Sequence, residues 1–265
     1  MTGKKIMKRK NFEIKIIYAI VLAIFLVFLI VPFMKLLQQA FLGDGSFTIS
    51  YFKDVMAGVK FIKALKNSLL ISITSALITT VLAFVLAYTI YYTNLPKPWK
   101  KIVNFVALLP MLLPTITYGF AIIYSFGKQG LLTRIFGHQL FEIYGFNGLL
   151  LGYVIYTLPI SFMLINNTMG YIDKKFMVVS RLMGDNAVAT FMMTIFRPLL
   201  GTLAASFIQA FFLCFTDFGI PAAVGGKYEV IASVLYTQML GSVPDFNKGS
   251  VVAMVMLLPS VISIL

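Results

Sequence analysis

Six long apolar runs alternate along the chain with short polar connections rich in lysine and arginine. A helix that crosses a lipid bilayer needs about 20 mostly apolar residues, and all six runs approach or exceed that length. The sequence therefore predicts an all-α, polytopic membrane helix bundle that forms a single domain over residues 1–265. The predicted transmembrane helices are 16–36, 66–93, 102–126, 147–170, 198–218 and 249–265.

Composition and charge exclude several other classes of protein. The chain is 60% hydrophobic and 12% charged, whereas a soluble domain is about half apolar and a quarter charged. The basic residues that give the net charge of +13 lie between long uncharged runs. This distribution favours a role in membrane topology over nucleic-acid binding. With one cysteine, Cys214, and one histidine, His138, the chain has no intrachain disulfide and no triad or metal site built on several histidines or cysteines.

The basic residues also predict the orientation of the chain. Cytoplasmic connections carry an excess of lysine and arginine, so we expect a cytoplasmic N-terminus. The first apolar run is too long for a signal peptide and is interpreted as a retained helix. Three segments on the predicted cytoplasmic side carry the basic residues Lys4, Lys5, Lys8, Arg9 and Lys10; Lys97, Lys100 and Lys101; and Lys174, Lys175, Arg181 and Arg197.

Irregular positions within the helices are candidates for a translocation path or gate. Pro110 and Pro114 lie four residues apart in the third predicted helix, and proline removes a backbone donor. Asp217 lies near the outer end of the fifth, where it could be a rim or packing residue or a substrate ligand. A stripe of small polar residues in the second helix and a GxxxG pair in the fourth favour packing over a substrate path: Ser68, Ser72, Ser75 and Thr79, with Gly148 and Gly152.

The connection at 173–197 differs from an ordinary loop. Asp173 can cap a helix, on which Phe176, Val179 and Met183 form an apolar stripe, and Gly184 can end it. A second short amphipathic piece is expected next, with the fifth membrane helix starting at Arg197-Pro198. From these residues alone, the first helix is either a docking element for a partner or a connector resting on lipid headgroups.

The same connection resembles the EAA loop of binding-protein-dependent ABC importer permeases. The resemblance rests on residues 180–184, Phe191 and residues 197–200, and is extended by residues 65–70 and by Leu109-Pro110 with Pro114. Four positions depart from the family pattern. Val178 stands where the family has glutamate, Val179 and Ser180 replace two alanines, and Pro198 comes one residue late.

The resemblance implies that the 173–197 connection is a cytoplasmic coupling loop that sits in a cleft of ABC ATPase subunits. The residues implied in coupling are Phe176, Val179, Ser180, Arg181, Met183, Gly184 and Asp185. The chain is then a translocation subunit and not an enzyme. It would bind no cofactor itself, and ATP and Mg would be held by the partner ATPase. Gly225-Gly226-Lys227 is not a phosphate-binding loop, because Tyr228 stands where serine or threonine binds magnesium. The role of the missing glutamate at Val178 stays open.

Residues 216–226 further resemble permeases for 2-aminoethylphosphonate or ferric iron, and sulfate, thiamine and polyamine permeases share much of the pattern. An ion-coupled secondary transporter is less favoured, because the helix centres carry no charge. Since the sixth run is still apolar at the last residue, we expect the N-terminal half of a longer, two-half permease. The implied partners are a substrate-binding protein, a second permease half and the lipid bilayer of the bacterial inner membrane, with no nucleic acid.

Overall fold

The computed structural model describes residues 2–43 and 46–264, with the side chains of residues 13–42, 46–259, 261 and 262. Within these ranges the chain is almost entirely helical. The two short strands β1 (Leu42–Gly43) and β2 (Ser46–Phe47) pair antiparallel. The helices are α1 (Thr2–Phe25), α2 (Val31–Phe41), α3 (Ser50–Ala57), α4 (Val59–Tyr92), α5 (Lys97–Leu108), α6 (Thr115–Phe126), α7 (Leu131–Phe136), α8 (Phe146–Gly170), α9 (Lys175–Leu182), α10 (Ala187–Phe191), α11 (Arg197–Thr216), α12 (Gly219–Val224), α13 (Ile231–Leu240) and α14 (Phe246–Ile264).

The membrane-spanning character predicted from the sequence is confirmed. Four helical segments in the described residues are long and apolar enough to cross a bilayer, and a bent pair supplies a fifth. The sixth predicted segment is present as α14, Phe246–Ile264, in which Phe246–Pro259 is an apolar helical stretch. The side chains of Lys4 to Lys10 lie outside those described, so the cytoplasmic N-terminus stays a prediction.

Two of the spans contain a π-helical turn directly before a proline. The turn Leu26–Ile30 joins α1 to α2 ahead of Pro32, and Met192–Phe196 joins α10 to α11 ahead of Pro198. A proline has no N–H for the carbonyl one turn earlier, and a wider turn accommodates that loss without ending the helix. Starting the fifth span at Pro198 was therefore wrong: the helix begins at Ala187 and runs to Thr216.

The third predicted helix is not continuous, which corrects the 102–126 assignment. A 3-10 turn, Leu109–Leu112, follows α5, Leu113 is extended, and α6 begins after Pro114, leaving the two helical segments bent by 111°. Both prolines contribute, because each lacks a donor and each disfavours α-helix at the residue before it. The Tyr118 hydroxyl donates to the carbonyl of Pro110, which also accepts from the Leu113 N–H at 3.1 Å, so a side chain of α6 reaches back across the break.

The core lies where α4, α8 and α11 pack together. Ser68, Ser72, Ser75 and Thr79 are all buried, and Thr79 Oγ1 lies 2.9 Å from Thr157 Oγ1 across the α4–α8 interface. In lipid, small residues permit close backbone approach, and a hydrogen bond of this type contributes about 0.6 kcal/mol. The polar stripe of the second predicted helix is thus a packing surface, as predicted.

The GxxxG pair in α8 also serves packing. A Cβ on Gly152 would lie 2.7 Å from Cγ2 of Ile220, and one on Gly148 would lie 1.8 Å from the carbonyl oxygen of Ile143 and 3.3 Å from Cβ of Val224. Ile220 and Val224 belong to α12, a short helix that the hydropathy pattern did not predict. Gly152 therefore lets α12 fold back against α8 at a distance that a larger residue would prevent, and Gly148 lets the turn before α8 approach the helix.

Candidate functional site

The predicted coupling loop contains a short, well-terminated helix. Asp173 Oδ1 accepts from the backbone N–H of Lys175 at 2.9 Å at the start of α9. At the other end, Gly184 has φ +88°, its N–H donates to Arg181 O at 3.1 Å, and the Asp185 N–H donates to Ser180 O at 3.2 Å. These two bonds form a Schellman motif, which satisfies the last carbonyls of a helix and requires a left-handed residue. Nothing lies within 4 Å of a Cβ added at Gly184, so its backbone angle alone favours glycine.

The inner face of α9 rests on the helix bundle. Met177 packs against the buried cluster at this end of α4 and α8, and Ser180 is buried. The Ser180 hydroxyl donates to Asp185 Oδ2 at 2.6 Å and lies 3.1 Å from Thr190 Oγ1. Ser180 is therefore not a contact residue on the outside of the loop; it ties α9 to the following turn and to α10.

The outer face of α9 exposes a continuous apolar surface. Phe176 is 65% exposed, Leu182 82% and Met183 80%, and Val178 and Val179 are also exposed. This end of the molecule also contains a cavity of about 660 Å³ between α9 and the base of the long helix, lined by Tyr171, Phe176, Val179, Met183, Met193 and Pro198, among others. We refer to the exposed side chains of Phe176, Val178, Val179, Leu182 and Met183 as the α9 surface.

Aromatic side chains fasten the loop to the end of α4. Phe191 meets Phe84 and Tyr88 edge to face, with ring centroids 6.2 and 6.0 Å apart, and it stacks on Phe196 at 6.4 Å. Tyr88 in turn stacks on Tyr92 at 5.2 Å. Such pairs contribute about 0.5–1.5 kcal/mol each beyond burial. Packed rings thus connect α10 to the span Val59–Tyr92.

Lys174 provides a polar link between the same elements. Its Nζ donates to the backbone carbonyl of Tyr91 at 2.7 Å and lies 5.6 Å from the ring centroid of Tyr92. A cation at the C-terminal end of a helix interacts favourably with the helix dipole. The first residues of the loop are therefore also attached to the end of α4.

The second group of candidates meets at two helix breaks. The carboxylate of Asp217 accepts from the N–H of Ile220 at 2.9 Å and from the Thr115 hydroxyl. Thr115 is the first residue of α6, directly after Pro114, and a Cβ on Gly219 would lie 2.2 Å from its Oγ1. The structure thus brings Pro114 and Asp217 to one place, whereas Pro110 bonds to Tyr118. These contacts favour a packing role for Asp217, the first of the two interpretations of its sequence.

Sequence reasoning missed two contributors to these sites. The tyrosines and phenylalanine of α4 that hold Phe191 were not singled out, although Phe84, Tyr88 and Tyr92 recur every four residues on one helix face. Thr115 was also missed, since no local pattern links it to a carboxylate 102 residues later. The helical spacing could have identified the first group, and only the fold identifies the second.

Sequence comparison places the chain among transport permeases, although no family model matches it. A ferric transport system permease protein of Actinobacillus pleuropneumoniae is 27% identical over 263 residues, 97% of this chain and 38% of that protein. A Haemophilus influenzae protein described as a ferric permease is 27% identical over 96% of this chain and 40% of its own length. A Helicosporidium protein described as a sulfate permease is 26% identical over 90% of this chain and 87% of its own.

The chain therefore spans about two fifths of the length of the two ferric relatives. More distant relatives, 22–27% identical, are described as permeases for 2-aminoethylphosphonate, spermidine and putrescine, and thiamine.

Solved structures share the fold over the whole chain. A chain of a bacterial ABC transporter that imports the acidic polysaccharide alginate superposes with a TM-score of 0.81 at 16% identity, covering 98% of this chain and 95% of that one. The same type of transporter in complex with an alginate pentasaccharide-bound periplasmic protein gives a TM-score of 0.79 at 15% identity, over 100% and 95%.

Proposed function

We propose that this chain, which has the fold of binding-protein-dependent ABC importer permeases and is similar to them in sequence, is the translocation subunit of such an importer. The resemblance predicted from the sequence is confirmed by these relatives and by the fold. The remaining steps are proposals: a multi-pass location in the bacterial inner membrane, a second permease half, a substrate-binding protein, and ATPase subunits that hold ATP and Mg.

The proposal that the ATPase docks on α9 rests on the exposed α9 surface. An apolar surface on a short helix outside the membrane spans would be costly to leave in water, so we expect a protein to cover it. The side chains proposed to touch the ATPase are Phe176, Val179 and Met183, with Arg181 at the edge. Ser180, Gly184 and Asp185 are proposed to hold the helix in its docking orientation.

Movement of the ATPase subunits would reach the membrane by two routes. One runs through Phe191 and its ring contacts to α4. The other is the uninterrupted helix from Ala187 to Thr216, which joins the loop to the break at Asp217. ATP binding would close the ATPase pair and rotate α9, the spans would open towards the binding protein, and hydrolysis would reset them. The breaks at Pro110, Pro114 and Asp217 are proposed as the pivots of this gate.

For the transported solute we propose a small molecule or ion, with 2-aminoethylphosphonate or ferric iron preferred. This preference rests on the resemblance of residues 216–226 and on the relatives described above. Sulfate, thiamine or a polyamine is the alternative, because relatives of those kinds also match most of the chain. The ligand that co-purifies with the binding protein encoded beside this chain would decide between them.

Cysteine cross-linking tests the docking proposal. Cys214 is buried and can be replaced by alanine, so a single cysteine can then be placed at Met183, which is 80% exposed. The matched control is Val243→Cys, which is 87% exposed between α13 and α14, at the end of the bundle where Lys248 of α14 pairs with Asp54 of α3. The ATPase encoded with the permease is co-expressed, and membranes are treated with a short thiol cross-linker.

A Met183→Cys cross-link to the ATPase that Val243→Cys does not form would support the docking surface. Equal cross-linking at both positions, or cross-linking at Val243→Cys alone, would show that the ATPase does not dock on α9. Transport by the Cys214→Ala protein is measured in parallel, because ATP-independent uptake would instead contradict the importer assignment itself.

A further inference from the structure

A pocket rich in lysine lies beside the coupling loop, outside the surface proposed for the ATPase. It has a volume of about 480 Å³ and is lined by Lys97, Lys100 and Lys174 together with residues 91–95 and Met177. We call it the lysine pocket. Its three cations come from two segments far apart in sequence, the first turn of α5 and the residue before α9.

Two of the three amines are held in place by backbone carbonyls. Lys100 Nζ donates to Thr93 O at 2.9 Å, and Lys174 Nζ donates to Tyr91 O at 2.7 Å. An ammonium group has three protons, so each anchored amine keeps further donors for a ligand. The positive end of the α5 dipole, at Lys97, adds to the same field.

No carboxylate is among the residues that line the lysine pocket. Asp173 adjoins Lys174 in sequence, but its side chain caps α9 and lines the cavity between α9 and the long helix instead. Within the residues that the structure describes, the ion pairs given for lysine are Lys60 with Glu229 and Lys248 with Asp54 and Asp245, all towards the other end of α4. The pocket therefore concentrates positive charge that the described part of the chain leaves uncompensated.

The surroundings of the pocket are those of a membrane interface. It lies at the end of the span Val59–Tyr92 and is lined by Tyr91, Tyr92 and the exposed Leu95, and the exposed Trp99 lies in the same first turn of α5 as Lys97 and Lys100. Tyrosine and tryptophan concentrate at the level of lipid headgroups, and basic pockets between membrane helices bind anionic headgroups. We infer that the lysine pocket binds the phosphate group of an anionic phospholipid.

Trp99 offers a direct probe, because it is the one tryptophan in the sequence. The full-length permease is placed in phosphatidylcholine nanodiscs that contain phosphatidylglycerol, with bromine on the acyl chains of one lipid or the other. Bromine quenches tryptophan fluorescence at short range. The signal of Trp99 is taken as the difference from a Trp99→Phe protein. We expect brominated phosphatidylglycerol to quench the fluorescence of Trp99 more strongly than its mole fraction in the bilayer predicts.

Charge variants assign this preference to the pocket. Each lysine near an anionic surface contributes about fivefold in affinity, so changing all three lysines to glutamine is expected to abolish the preference for phosphatidylglycerol. Changing all three to arginine is expected to retain it. The control is Lys53→Gln with Lys63→Gln and Lys66→Gln, which removes the same charge near the other end of α4.

Two results would overturn the inference: equal quenching by the two lipids in the native protein, or a preference that survives in the Lys97, Lys100 and Lys174 glutamine protein. Adding inorganic phosphate distinguishes the sources of the anion. Relief of phosphatidylglycerol quenching by millimolar phosphate would show that the pocket also accepts the phosphate group from solution, and unchanged quenching would show that it takes only the lipid. These readouts do not involve the ATPase, so they are independent of the proposed coupling role.

Discussion

Replacing Gly184 by alanine isolates the contribution of one backbone angle to the proposed coupling of this loop to an ATPase. Gly184 has φ +88° and open space around its Cα, so the methyl group meets no neighbour and only the backbone is strained. A left-handed conformation costs an L-residue about 1–2 kcal/mol. The Schellman bonds from Gly184 and Asp185 back to α9 would therefore open about five to thirty times more often.

Gly201→Ala is the matched control. Gly201 also has nothing within 4 Å of an added Cβ, but it lies inside α11 and is not among the positive-φ glycines. Alanine there is expected to stabilise the helix by about 0.5–1 kcal/mol. The two proteins thus carry the same chemical change with opposite expected effects.

The assay is ATP hydrolysis stimulated by the proposed binding protein, together with uptake, in proteoliposomes that contain this chain and the proposed ATPase. We expect Gly184→Ala to lose several-fold in both, Gly184→Asn to lose less because asparagine tolerates this conformation, and Gly201→Ala to match the native protein. Thermal unfolding checks that Gly184→Ala still folds. Native rates in a folded Gly184→Ala protein would refute the reasoning that this turn positions the coupling helix.

Two further substitutions test local contacts. Ser180→Ala removes the bond to Asp185 Oδ2, a loss of about 1 kcal/mol, so backbone amides at 181–185 should exchange hydrogen about fivefold faster; unchanged exchange would mean that the serine does not hold the turn. Gly152→Ala places a methyl 2.7 Å from Ile220 Cγ2 and should destabilise the bundle by about 1–3 kcal/mol. Adding Ile220→Ala should reduce the penalty that Gly152→Ala imposes on the melting temperature; a strictly additive double variant would exclude the clash as its cause.

The hydropathy pattern by itself determined the class of this protein and the approximate positions of its spans. Long uncharged runs have few stable alternatives to membrane helices, because every backbone polar group must be satisfied inside lipid. The end of α9 at Gly184 could also be predicted from neighbouring residues, since a glycine after an amphipathic helix is the usual left-handed cap. The stripe of Phe176, Val179 and Met183 was also visible as helical periodicity, and the structure leaves these side chains exposed.

Other features depended on contacts distant in sequence. Pro198 was expected to start a helix, but a π-helical turn before it lets the helix continue through it. Pro110 was expected to lie within a helix, but it precedes a 111° bend. A proline removes a donor and restricts the residue before it, and the neighbours that satisfy the freed carbonyl then decide whether the helix continues. The ten-residue α13 was missed because it is too short for a span, and it is fixed in place by the bond from Ile231 N–H to Ser68 Oγ.

The same distinction applies to function. The sequence alone identified the loop and the family that it resembles, because the residues that carry the resemblance lie close together in sequence. The tertiary structure decided three other features. It attaches that loop to α4 through Phe191 and Lys174, and it brings Asp217 to Thr115. It also assembles Lys97, Lys100 and Lys174 into one pocket. Each of these features joins segments that are far apart along the chain, so no local sequence pattern can predict their contact. Only the packing of the helices brings the segments within contact distance.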